Sequence, residues 1–197
     1  MAYCISKAVT EARCTELKEL VLTHYHSTAS TLIASLSQRV KLRVLRLPEP
    51  NCEKERAIAA RLAQEAELHG VSVVYGGGVT ALDSTEILHW ERTAHEERIE
   101  VPAMIALQIH KKDVLYLAQG AWHSDFAPLA NNLAIDAELL ILGAHGSGEP
   151  PEASFYTRLH GTEYVIFGSE ENYAVCPAEQ TPKSYSVAPV SKKIFLK

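Results

Sequence analysis

No apolar run in the 197-residue chain is long enough to cross a membrane: the longest, such as the stretch from Glu138 to Gly143, fall far short of the ~20 residues a spanning helix requires. No basic region followed by an apolar run and a small-residue cleavage site opens the sequence, so no secretory leader is expected from it. The four cysteines (Cys4, Cys14, Cys52, Cys176) form no Cys-x-x-Cys pair, so reduced thiols and a cytoplasmic setting are expected. Positive charge is also scarce. Nineteen Lys+Arg against 24 Asp+Glu leave a net charge of −5, which gives no general attraction for phosphate backbones or anionic lipid and confines any nucleic-acid contact to a local patch. There is no internal repeat. What is present is 47% apolar and 22% charged sequence, enough to bury a core and read as a single domain over 1–197.

Helical and extended patterns alternate along it. A helix is expected from Lys7 to Leu17, then a short apolar strand from Glu19 to Thr23. The Ser27, Thr28 and Ser30 hydroxyls can cap a helix carrying Leu32, Ile33 and Leu36. A strand follows over Lys41 to Leu47, where apolar and basic residues interleave, stopped by Pro48 and Pro50. From Asn51 to His69, Ile58, Leu62 and Ala66 recur at four-residue spacing, which predicts a helix ended by Gly70. Further strands are expected at Val71 to Tyr75, Glu86 to Trp90, Ala103 to Ile109, Val114 to Ala118, Leu139 to Leu142 and Tyr164 to Phe167, with a C-terminal hairpin from Tyr185 to Leu196. Helices are expected at Phe126 to Ala134 and Glu152 to His160. This alternation predicts a layered α/β protein.

Two histidine groups stand where strands end. His24-Tyr25-His26 follows Leu20 to Thr23, and histidines at i and i+2 on extended backbone project to one side, which suits metal ligation. His145 lies in a Gly-rich turn after Leu139 to Gly143. Other features take plainer readings. His69, His95, His110 and His160 read as solvated, and His89 as a packed strand residue. Gly76-Gly77-Gly78 is a turn, because no Gly-Lys-Ser/Thr follows it. Glu91 to Arg98 reads as a solvated loop or hairpin. Cys4 and Cys14 read as small buried groups, and Ser147 lacks the frame of a nucleophile elbow.

The segment Leu20-Val21-Leu22-Thr23-His24-Tyr25-His26-Ser27 resembles the strand and H-x-H-x-D-H motif of the metallo-β-lactamase superfamily, and within it the soluble domain of ComEC-type competence proteins. Ala137 to Ser147 is similar to that family's later strand ending in H-H-G-S, and Asp113 to Ala121 resembles the strand closing in Gly-Asp. The resemblance implies a layered αββα sandwich, here without its first strands, because the chain starts almost at the first helix. It also implies a pocket stripped of most ligands. Thr28 and Ala29 stand in place of the Asp-His pair, Ala121 in place of the bridging carboxylate, and Ala144 in place of a histidine. His24, His26 and His145 remain as candidate metal ligands. Alanine cannot coordinate, so a paired-metal centre is not expected; zinc at a single residual site is the alternative, with Asp125 and His123 the local candidates to position water. The expected function is a degenerate, non-catalytic domain with no catalytic residue and no cofactor. Its role would be binding or assembly, through a homo-oligomer or protein partner that covers the open N-terminal edge. The alternative is a mononuclear zinc hydrolase of phosphoester or related bonds.

Overall fold

The computed structural model describes residues 2–25, 29–76, 78–81, 87–92, 103–109, 112–118, 137–143, 151–159, 161–162, 164–167 and 184–186. The chain is mixed α/β and divides into two compact units, Met1–Gly76 and Gly77–Lys197.

The first unit runs α1 (Ala2–Glu11), β1 (Glu16–Val21), α2 (Ala29–Ser37), β2 (Lys41–Leu47), α3 (Glu53–Leu68) and β3 (Ser72–Tyr75). Its three strands form a parallel sheet in the order β1-β2-β3, with Leu17 opposite Leu42, Leu20 opposite Leu45, and Leu45 opposite Val73. Leu42 and Leu45 are three apart and so point to opposite faces, yet both are buried. The simple interleaving seen in the sequence therefore breaks at Val44, because a central parallel strand is covered on both sides. Ile33 from α2, Leu62 and Ala66 from α3, and Leu45 and Leu47 from β2 share one apolar cluster. Val9, Leu32, Leu36 and Val40 form a second.

Two helices close in the same geometry, one on a glycine and one without. At the end of α3, Gly70 has φ +66°, with Gly70 N–H donating to Glu67 O (3.0 Å) and Val71 N–H to Ala66 O (2.9 Å). This is the paired closure in which a left-handed residue satisfies the last carbonyls, and glycine announces it. The end of α1 has the same pattern, with Arg13 N–H donating to Thr10 O (3.0 Å) and Cys14 N–H to Val9 O (3.1 Å), but the left-handed residue is Arg13 at φ 54°. No glycine marks the stop, so the helix expected as far as Leu17 ends at Glu11 and β1 begins at Glu16. Cys14, expected to be buried, is exposed in this turn.

The second unit holds β4 (Gly78–Ala81), β5 (Ile87–Arg92), β6 (Ala103–Ile109), β7 (Lys112–Leu117), β8 (Leu139–Leu142), α4 (Ala153–Tyr156), β9 (Tyr164–Phe167) and β10 (Ser184–Ser186). Its seven-stranded sheet has the order β10-β9-β8-β7-β6-β5-β4. Strands β4 to β7 form an antiparallel meander, and β7 to β10 are parallel. Leu117, Leu140, Leu142 and Val165 pack with Phe155 and Tyr156 of α4, whose rings meet edge to face at 5.6 Å. Gly78 opens β4 instead of closing a turn, and Glu91 and Arg92 belong to β5. The expected helix at Phe126 to Ala134 and the second arm of the C-terminal hairpin lie outside the described residues.

Candidate functional site

In parallel sheets, ligand sites form beyond the carboxyl ends of the strands. In the first unit that edge carries His24. The ladder continues one residue past β1 through Leu22 N–H donating to Arg46 O (3.0 Å), after which Thr23 and His24 lie in a bend. The extended geometry invoked for a His24/His26 pair therefore stops short of His24. Tyr25 explains the bend: its hydroxyl donates to the carbonyl of buried Pro48 beyond β2, tying the loop after β1 to the loop after β2.

His24 is half-buried, and its Nδ1 lies 3.1 Å from Thr23 Oγ1. When Nδ1 carries the proton it donates to Thr23, and the lone pair sits on Nε2, the tautomer of a metal-ligating imidazole with its outer partner in place. Beneath the loop, Arg46 pairs through Nε with Glu19 of β1 and reaches Gly76 O through Nη1 at 3.4 Å. One guanidinium thereby joins the carboxyl ends of all three strands. The Arg46 and Glu19 side chains are only 12% and 10% exposed, so the pair is largely withdrawn from water. The exposed Glu49 carboxylate stands beside Gly76. The sequence reading assigned no role to Glu19, Tyr25 or Arg46; the one signal was a basic residue at the end of a central strand, where an apolar one is usual.

Ala29 bears on metal chemistry. It opens α2, is 8% exposed, and packs in the apolar cluster with Ile33, Leu42 and Leu45. The position that would supply a second-metal ligand by resemblance is filled by core. Among the described residues, this edge offers one imidazole, His24, as a candidate ligand. Among the described residues, no three His, Cys, Asp or Glu side chains cluster as a cation site.

In the second unit the corresponding edge lies at the ends of β7 and β8. Gly143 N–H donates to Leu117 O at 2.7 Å, and a Cβ at position 143 would stand 2.7 and 2.9 Å from the Tyr116 ring. Only glycine lets the chain leave β8 past that phenol. His26, Thr28, Ala121, His123, Asp125, Ala144, His145 and Ser147 lie outside the described residues, as do His95, His110 and His160. His69 is at the surface, 3.1 Å from Glu65, and His89 lies on β5.

The mixed α/β fold is similar to that of a solved structure, Tm1679, a metal-dependent hydrolase of the β-lactamase superfamily, matched with a TM-score of 0.55 over 91% of this chain and 80% of that one at 11% identity. At that identity the likeness extends to the fold alone. No protein-family profile and no curated relative matches the chain.

Proposed function

We propose that the chain is a degenerate metallo-β-lactamase-like protein whose role is binding or assembly rather than hydrolysis. The observation that carries this reading is Ala29, whose methyl group belongs to the core at a position where the superfamily motif calls for a histidine. An alkyl group donates no electron pair, and a core position cannot be given to a ligand without unpacking Ile33 and Leu45. The finer parts of the reading rest on the sequence: a ComEC-like ancestry and a sandwich lacking its first strands on the resemblance, a cytoplasmic location on the unpaired cysteines, and a homo-oligomer or protein partner on the edge that the missing strands would leave open.

A specific observation favours the alternative, a mononuclear zinc hydrolase. The Thr23 hydroxyl on His24 Nδ1 is the kind of outer contact that aims a ligating Nε2. In that reading His24, His26 and His145 hold the ion, which would polarise bound water when present. His24→Ala separates the two. The binding role predicts unchanged folding and unchanged association by light scattering. The hydrolase predicts loss of bound zinc together with any phosphodiesterase activity.

A further inference from the structure

The opposite end of the first unit's sheet carries a different chemistry. At the amino ends of β1 and β2 lies a cleft of about 380 Å³ lined by Thr15, Ser37, Arg39, Lys41, Arg43 and His69. Three permanent cations and an imidazole converge there on a chain whose net charge is −5. The acidic residues facing them are few. Glu16 takes Arg43 at 3.0 Å, and Glu65 takes His69 at 3.1 Å. Arg39 and Lys41 make no ion-pair contact among the described residues; the Glu16 carboxyl is held below its ordinary range chiefly by its hydrogen bond from Arg43, with Lys41 and Lys18 adding to it. Setting Arg39, Lys41 and Arg43 against Glu16, and His69 against Glu65, leaves the cleft positive.

The ends of α2 and α3 also point toward this cleft, and bare helix C-termini would repel an anion. Some of those carbonyls already have backbone donors. Leu36 O accepts from Arg39 N–H and Val40 N–H (both 2.9 Å), and Ala66 O accepts from His69 N–H (3.1 Å) and Val71 N–H (2.9 Å). The Ser37 hydroxyl at the cleft is buried with no hydrogen-bond partner among the described residues, a cost that a bound oxygen atom would remove after a rotamer change.

We propose that this cleft is a binding site for a small phosphate-bearing anion, with Arg39 and Lys41 as its main contacts and Arg43 shared with Glu16. Guanidinium forks suit phosphate oxygens, and the volume lies within the range of small-molecule sites. The site is independent of the His24 edge. The shared chemistry is the phosphate group, and its source is either free pyrophosphate or a phosphate monoester.

The test titrates the full chain with pyrophosphate and, separately, with ribose 5-phosphate, following amide shifts by NMR. The proposal expects saturable shifts at Thr15 and from Ser37 to Arg43, weakened by added salt, with the tighter ligand naming the source. Arg39→Gln with Lys41→Gln would weaken binding by about tenfold or more. Both side chains are at the surface, so the fold is retained; if the double variant fails to fold, Arg39→Gln alone serves, with a smaller but measurable loss. No saturable binding of either compound, or an affinity unchanged in the variants, would overturn the proposal. A purely structural role for these cations would alter stability but leave no ligand response to lose.

Discussion

The carboxyl ends of β1 and β8 solve the same problem, releasing a chain from a parallel strand at a defined angle, by different physical means. Beyond β1 the direction is set by polar side chains: Tyr25 on Pro48, Thr23 on His24, and the Arg46–Glu19 pair below. At the end of β8 it is set by the absence of a side chain, since Gly143 passes a phenol that leaves no room for a methyl. An exit held by hydrogen bonds can be retuned one group at a time. An exit held by exclusion tolerates little change.

The sharpest way to break this comparison is to remove one member of the withdrawn ion pair. Glu19→Ala leaves Arg46 largely buried without its carboxylate, and chemical denaturation should register a loss of about 3 kcal/mol. Glu16→Ala makes the same kind of change on the same strand, but its pair with Arg43 is solvated and the midpoint should move far less. Equal effects would show that burial is not what distinguishes the two pairs. Next in size, Gly143→Ala should cost about 1–3 kcal/mol through overpacking. Combined with Tyr116→Ala, the loss should be smaller than the sum of the single effects; strict additivity would remove the phenol as the cause. Tyr25→Phe deletes one hydrogen bond and should cost about 1 kcal/mol, with NMR shifts at Thr23 and His24. The smallest effect concerns pH. Arg43 lowers the Glu16 carboxyl in the folded state, so its contribution is present above the unfolded carboxylate range and is lost as pH falls through the lower, folded value. The acid limb of the stability curve should therefore shift slightly between the parent and Glu16→Gln.

Much of the framework was legible because its signals are local. Strands β2, β6, β8 and β9 fall on the residues their patterns marked, and Gly70 announced the end of α3. The errors arise where the physics is not local. Arg13 closes α1 in a conformation that glycine normally signals, so nothing in the sequence stopped that helix at Glu11. Glu16, Lys18 and Glu19 obscured the start of β1, because their charges break the apolar pattern that marks a buried strand, and two of them pair with arginines on β2 that only the folded register brings opposite. At the candidate site, His24 was visible as a residue type following a strand. Arg46 was not, since joining three strand ends depends on a register that only the folded sheet provides.

The proposed function requires that this chain lack the donor set for two cations, and Ala29, built into the core where the resemblance calls for a histidine, supports it. The most direct measurement is the zinc content of untagged protein after equilibration with excess metal and gel filtration. The account predicts no retained zinc; one equivalent abolished by His24→Ala, together with a phosphodiesterase activity lost in the same variant, would favour the hydrolase alternative. Two equivalents per chain would contradict the account.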